Sequence, residues 1–160
     1  MKISGTTVTI IRFSNVVMAG LVAGTLFGIW IGYNPENLSW QAYVEHQQSV
    51  IRSLNVLMPI LGLITIILTV FSAVIKKKDR RIFVMLLVAA ALLIISGIVT
   101  RFANQPINAI VMNWDQTTVP DNWIELRNKW WSYHQIRAVT AIAAFFIIVA
   151  ASLRKDSGVN

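Results

Sequence analysis

Cysteine is absent from the 160-residue chain, which excludes disulfides, thiolate metal sites and a cysteine nucleophile and leaves any catalysis to other side chains. Charge is scarce as well: 13% of the residues are Asp, Glu, Lys or Arg against 56% hydrophobic, where a soluble domain carries about 25% charged residues. That balance excludes an ordinary water-soluble fold. Acidic residues are the scarcer sign, 7 against 14 basic, for a formal charge of +7. Internal repeats and low-complexity segments are lacking too, and the length allows one domain, 1–160.

What the chain has instead is long uncharged runs. A hydrocarbon core about 30 Å thick takes about 20 helical residues to cross. Runs of that order lie at 13–32, 54–75 and 82–100, with a shorter one at 138–153. To cross, the fourth must draw in the residues ahead of it, including Arg137 and His134, which gives a span of 134–153. The first run is no secretory signal: it is longer than an h-region and ends in Trp30-Ile31-Gly32-Tyr33 rather than a small-residue cleavage site. The expected fold is an all-α integral membrane four-helix bundle with an amphipathic outer helix before the fourth span. Four spans are too few for a transporter built of inverted halves.

The basic residues sort by loop. Lys2, Arg12, Lys76, Lys77, Lys78, Arg80, Arg81, Arg154 and Lys155 fall on one side with only Asp79 and Asp156. On the other, Arg52, Arg101, Arg127, Lys129 and Arg137 are balanced by Glu36, Glu45, Asp115, Asp121 and Glu125. The whole surplus lies on one face, so the positive-inside rule puts both termini in the cytoplasm, and the uninterrupted helical spans favour the inner (plasma) membrane. The charge therefore reports topology, with the lipid bilayer and not nucleic acid as the partner.

Gly20, Gly24, Gly28 and Gly32 recur every fourth residue in the first span, a ridge that lets another backbone approach. A tight helix pair within the chain is one reading; homo-oligomerisation or close approach of a flat ligand is the other. Pro59 inside the second span should clash with the carbonyl of Asn55 and kink the helix. Asn55 then either satisfies the freed group locally or flanks a polar pocket.

The outer loops hold the polar chemistry. Tyr43 to Arg52 reads as a helix continuing into the second span, with Glu45, Gln48 and Arg52 on one face and His46 and Ser49 beside it. This is either a solvated helix start or part of a site. Pro106 should end the third helix near Asn104. Arg101 then sits at the hydrocarbon boundary, either snorkelling or facing inward with a partner, and Asn104 and Asn108 either cap the broken helix or touch a ligand. Beyond Trp114 and a turn at Pro120, Asp121 is the expected N-cap of a new helix. Along it Trp123, Arg127, Trp130, Trp131, His134 and Arg137 follow at spacings of 4, 3, 1, 3 and 3. At about 100° per residue they share one broad face. An interfacial aromatic belt accounts for the tryptophans. The alternative is one wall of an aromatic, cationic cavity in the bundle.

His46-Gln47-Gln48 with Arg52, Arg101 with Asn104-Gln105-Pro106-Ile107-Asn108, Trp114, Pro120-Asp121-Asn122-Trp123, and Arg127, Trp130, His134 and Arg137 together resemble the anthrone oxygenase-like family of small four-helix membrane proteins. The resemblance covers roughly 24–137. Its shared element is an Arg-x-x-Trp pair followed about two helical turns later by a second arginine, met here by Arg127, Trp130 and Arg137. Fungal members are linked to oxidation of anthrones to anthraquinones without a familiar cofactor. The resemblance thus implies an oxygenase of anthrone-like or quinone-like lipophilic aromatics.

Such an enzyme needs a general base, a cationic or hydrogen-bonding site for the resulting anion, and a dry pocket. His134 or His46 is the expected base, Arg127 and Arg137 the anion stabilisers, and Trp123, Trp130 and Trp131 the stacking walls. Arg101, Asn104, Asn108, Gln47 and Arg52 are the remaining candidate substrate contacts. No cofactor is expected; the alternative is a metal held by His46, His134 and Glu45, since two imidazoles and a carboxylate suit zinc or non-haem iron. The rival function is a non-catalytic assembly module that uses the glycine ridge of the first span.

Overall fold

The computed structural model describes residues 4–154; Lys2, Lys155 and Asp156 of the charge pattern lie outside the described residues. Among the described residues there are helices and turns and no strands. Helix α1 spans Gly5–Gly32, and Ser4 caps it by accepting from the Thr7 amide at 3.2 Å. Helix α2, Trp40–Leu54, is capped by Ser39 and follows a short 3-10 turn at Pro35–Asn37. Helix α3 spans Leu57–Ile75. Asp79 accepts from the amides of Arg81 and Ile82 to start α4, Arg80–Val99. A π-helical turn, Thr100–Asn104, leads into α5, Gln105–Val111, and α6 spans Trp123–Leu153.

Helices α1, α3, α4 and α6 pack in that cyclic order into a bundle, with α2 and α5 against one end. Four helices are long and apolar enough to cross a membrane. Large hydrophobic side chains such as Phe13, Ile67 and Phe146 point outward, as expected of a surface solvated by acyl chains. The chain is a multi-pass membrane protein. The Arg12 guanidinium donates to the Ser152 carbonyl, so the two described termini share one end, which also carries Lys76 to Arg81. That is the basic end; α2 and α5 lie at the aromatic end. Between the basic-end helices the core is largely alanine, with Ala19, Ala73, Ala89, Ala144 and Ala151 buried among Ile82, Leu86, Leu93 and Ile148. Small residues let backbones approach and gain dispersion contacts where the hydrophobic effect offers nothing between helices in lipid.

Four local expectations are corrected. Pro59 does not kink a continuous helix: α2 stops at Leu54, the chain turns at Asn55 and Val56, and Pro59 falls in the first turn of α3, where its missing N–H is not needed. The Asn55 carbonyl, without a Pro59 amide, accepts from Gln105 Nε2 at 3.4 Å, so another helix satisfies it rather than Asn55 itself. The third helix does not end near Asn104. The Gln105 amide bonds five residues back to Thr100, and this widened turn seats Pro106 at the start of α5 without interrupting the helical path. Asp121 is not the cap of α6; Asn122 holds that position, with no side-chain bond, and the Pro120 carbonyl takes the Trp123 amide at 3.2 Å. The glycine ridge is not a tight internal pair along its length. A Cβ at Gly20 would meet the Phe145 ring at 3.4 Å, whereas Gly24, Gly28 and Gly32 face open space.

Candidate functional site

The aromatic-cationic stripe of α6 is buried apart from Trp123, which is half-buried: Trp130, Trp131, His134, Arg127 and Arg137 face inward. One 31-residue helix, about 46 Å long, carries both the stripe and the short fourth run, so the span reaches full length by taking polar residues into the bundle. The stripe then divides by depth.

At the aromatic end, Trp123 sits 5.4 Å from Trp40 and 5.9 Å from Tyr43 between ring centroids, with Trp114 against Trp40 at 5.2 Å. The Arg127 guanidinium lies over Trp123 at 5.0 Å, a cation–π contact. The Tyr33 hydroxyl donates to Gln47 Oε1 at 3.0 Å. Tyr43 Oη and Gln47 Nε2 are buried without partners. Burial pushes the Tyr43 phenol above its ordinary value of 10.0, partly opposed by the charge of Arg127. In the loop ahead, Asp115 accepts from the Thr117 hydroxyl and the Thr117 and Thr118 amides, each at 2.7 Å. Those bonds, the Thr117 hydroxyl first, hold its carboxyl below the usual range.

One turn deeper, His134 stacks against Trp130 and Trp131, with centroids 5.3 and 5.5 Å away. Arg137 Nε and Nη2 lie 3.2 and 2.9 Å from His134 Nδ1. A guanidinium only donates, so Nδ1 accepts and the proton sits on Nε2, which donates to the Leu26 carbonyl at 3.1 Å. The Ser96 hydroxyl donates to the Arg137 carbonyl at 3.1 Å, and the guanidinium lies 5.7 Å from the Trp130 ring centroid. Trp130 Nε1 donates to Asn108 Oδ1 at 2.8 Å, Asn108 Nδ2 to Asn55 Oδ1 at 2.8 Å, and Asn104 Nδ2 to the Trp130 carbonyl at 3.0 Å. Asn104 Oδ1 is buried without a partner. This chain of amides fixes the indole and lashes α5 to the turn between α2 and α3.

Arg137 faces a cavity of about 220 Å³ among α1, α3, α4 and α6. Its walls are apolar, from Leu26, Met58 and Ile66 among others, with Ser96, Thr100, Gln105 and Arg101 on the α4 side. A smaller space of about 30 Å³ adjoins it beneath Asn55, Asn108 and Trp130 and shares Arg137 as a wall. Among the described residues no carboxylate forms an ion pair with Arg137. A buried cation held by a neutral imidazole in an apolar cavity is a strong donor to any oxygen that gains negative charge there.

Of the residues singled out in the sequence, Pro59, Arg101 and Arg137 line the larger of these two cavities, and Asn55, Asn108 and Trp130 line the smaller one with Pro59 and Arg137. Asn104 and His134 stand behind them through hydrogen bonds. His46 and Arg52 are exposed on α2, His46 stacked on Tyr33 at 4.3 Å. Gln47, Trp123, Trp131 and Arg127 belong to the aromatic packing and line neither space. Gln48 bonds the Val111 and Trp114 carbonyls at 3.0 and 2.8 Å, ending α5 instead of joining Glu45 and Arg52. Among the described residues no three of His, Asp and Glu gather as a ligand set. Both ring nitrogens of His134 are already engaged, while Glu45 and His46 are exposed on α2. Sequence reasoning missed Met58, Gly62, Ser96, Gly97 and Gln105 as lining residues. Interior glycines and hydroxyls in apolar spans are the signal that could have found them.

A family model described as anthrone oxygenase matches residues 47–147 of the chain. The chain belongs to the anthrone oxygenase family. The matched stretch begins within α2 and ends within α6, so it contains every residue lining the two cavities except Val22, Leu26 and Ile29 of α1. No curated protein and no solved structure matches the chain.

Proposed function

We propose that this protein is a membrane oxygenase of planar lipophilic aromatics of the anthrone type, bound in the Arg137 cavity. The observation that carries the reading is the buried Arg137 guanidinium, held by His134 Nδ1 and facing apolar walls. An aryl ketone with an acidic ring C–H ionises to an enolate whose oxygen would take the guanidinium. As it does so, Nδ1 of His134, 2.9 Å from Nη2, regains its lone pair and can accept the C–H proton. The electron-rich carbanion reacts with O2; loss of water from the adduct leaves the quinone, so one anthrone and one O2 give one anthraquinone and one H2O. This sequence calls for no cofactor. His134 acts first as the positioning residue for Arg137. Trp130, fixed by Asn108, walls the small adjoining space.

The surplus of positive charge at the end that holds both termini supports a plasma-membrane protein with cytoplasmic termini; a reporter fused to the C-terminus should read cytoplasm. The enzymatic reading is tested by supplying anthrone under air to the protein in vesicles and following anthraquinone. Wild-type turnover that Arg137→Leu abolishes and Arg137→Lys partly keeps is expected. Turnover indifferent to Arg137, or none in the wild type, would refute it. A second reading, assembly through α1, is favoured by the open space at Gly24, Gly28 and Gly32. Disulfide crosslinking of Gly28→Cys should capture a dimer if that ridge meets a second copy.

A further inference from the structure

We propose that the Arg137 cavity fills sideways from the bilayer, through a portal between α3 and α4 whose sill is Gly62 and Gly97, and that it admits uncharged planar aryl ketones dissolved among the acyl chains. The proposal rests on the reading of this cavity as the ligand site. Four observations point the same way. The α1 and α6 sides of the cavity are closed, with Val22, Leu26 and Arg137 all buried. Its α3 and α4 sides reach the outer surface, where Leu63 is 59% exposed and Gly97 and Arg101 are exposed.

The third observation concerns the two glycines. Gly62 and Gly97 lie in the interior of apolar helices and line the cavity. Glycine weakens a helix interior relative to alanine, and close helix packing is the usual compensation. Here a Cβ at either position would meet nothing within 4 Å. The missing side chains leave a gap in the wall rather than a contact. Fourth, the aromatic end is tied shut above the cavity. Gln105 and Asn108 bond to Asn55, and Trp130 bonds to Asn108, joining the turn between α2 and α3 to α5 and α6. Water-soluble ligands therefore meet a closed roof, while a lipophile already in the membrane meets an apolar cleft. Arg101 at the rim, bonded to Gln105 Oε1 at 3.3 Å, and Arg137 at the far wall offer two successive donors to a carbonyl oxygen.

The test uses the protein in phosphatidylcholine vesicles containing 9,10-anthraquinone, with quenching of tryptophan fluorescence as the readout. Wild-type protein should quench saturably. Gly62→Leu and Gly97→Leu should each slow association about tenfold, with helical content unchanged by circular dichroism, whereas the lipid-facing control Val84→Leu should match wild type. If the leucine variants do not fold, the milder Gly62→Ala and Gly97→Ala replace them, with an expected slowing of about twofold. Saturable wild-type binding with glycine variants that associate at the wild-type rate overturns the portal and leaves the cavity reading intact. Quenching that never saturates in the wild type, as for a dye dissolved among lipid chains filling the cleft, overturns both.

Discussion

The two halves of the bundle are held by different physics. At the basic end, alanines pack helix against helix beside Ile82, Leu86 and Ile148, with Asn15 and Thr69 sharing a buried hydrogen bond at 2.9 Å. At the aromatic end, tryptophans and tyrosines fill the core, and a relay of side-chain amides runs from Asn55 through Asn108 and Trp130. Close backbone packing leaves only about 20 Å³ of space there, beside Ile82, Leu86 and Ile148. Large rings joined by polar bonds pack less evenly, and at the border of the two regimes the bundle opens around Arg137. The difference teaches where space opens: beside the polar relay, at the cation that His134 holds, not in the alanine seam.

The largest expected effect tests that division directly. Arg137→Leu should lower anthrone turnover about 10²- to 10³-fold, the usual loss when one donor to a developing oxyanion is removed. Oxygen uptake by vesicles checks it. In the other half, Ala144→Leu forces three extra heavy atoms into a site with 0% exposure, which should cost about 1–3 kcal/mol. Thermal unfolding in detergent should record the loss, while turnover per folded molecule stays at the wild-type level; a fall in turnover would show that the halves are not separable. Trp130→Phe leaves Asn108 Oδ1 without its donor and should cost about 1–3 kcal/mol by the same measurement, with a raised KM because the relay loosens beside the ligand.

Tyr43→Phe should have the smallest effect near neutrality, because its hydroxyl is buried without a partner and its loss leaves no group stranded. The pH dependence sharpens this point. The folded protein holds the Tyr43 proton more tightly than the unfolded chain does, so its contribution is complete below pH 10 and is lost as pH rises past that value. The loss approaches about 1.4 kcal/mol per pH unit for one such group. Alkaline unfolding curves should therefore be less steep for Tyr43→Phe than for wild type.

The spans were legible because an uncharged run long enough to cross hydrocarbon admits few other structures. The stripe on α6 was legible because its spacing repeats with the helix and its charges share a face with its rings. The role of each stripe member was not. Arg127 and Arg137 differ by ten positions on one helix, yet one lies over Trp123 and the other faces a cavity, since neighbouring helices decide what stands opposite each turn. Pro59 and Pro106 misled for a related reason. A proline forbids a particular hydrogen bond, but the fold chooses whether a turn between two helices, as at Asn55, or a widened helical turn, as at Thr100–Asn104, absorbs the loss.

Composition and periodicity by themselves determined that this chain crosses a membrane, which charges lie at which end, and which face of α6 gathers rings and cations, because those features follow from the solvent and from the helical repeat alone. Only the tertiary structure decided that His134 turns its lone pair to Arg137, that Asn55 answers to Gln105 and Asn108, and that Gly62 and Gly97 border a space instead of a contact. The first depends on the Leu26 carbonyl of α1 taking the Nε2 proton and the others on residues brought together from different elements, and such meetings are set by how the helices pack, which no single segment encodes.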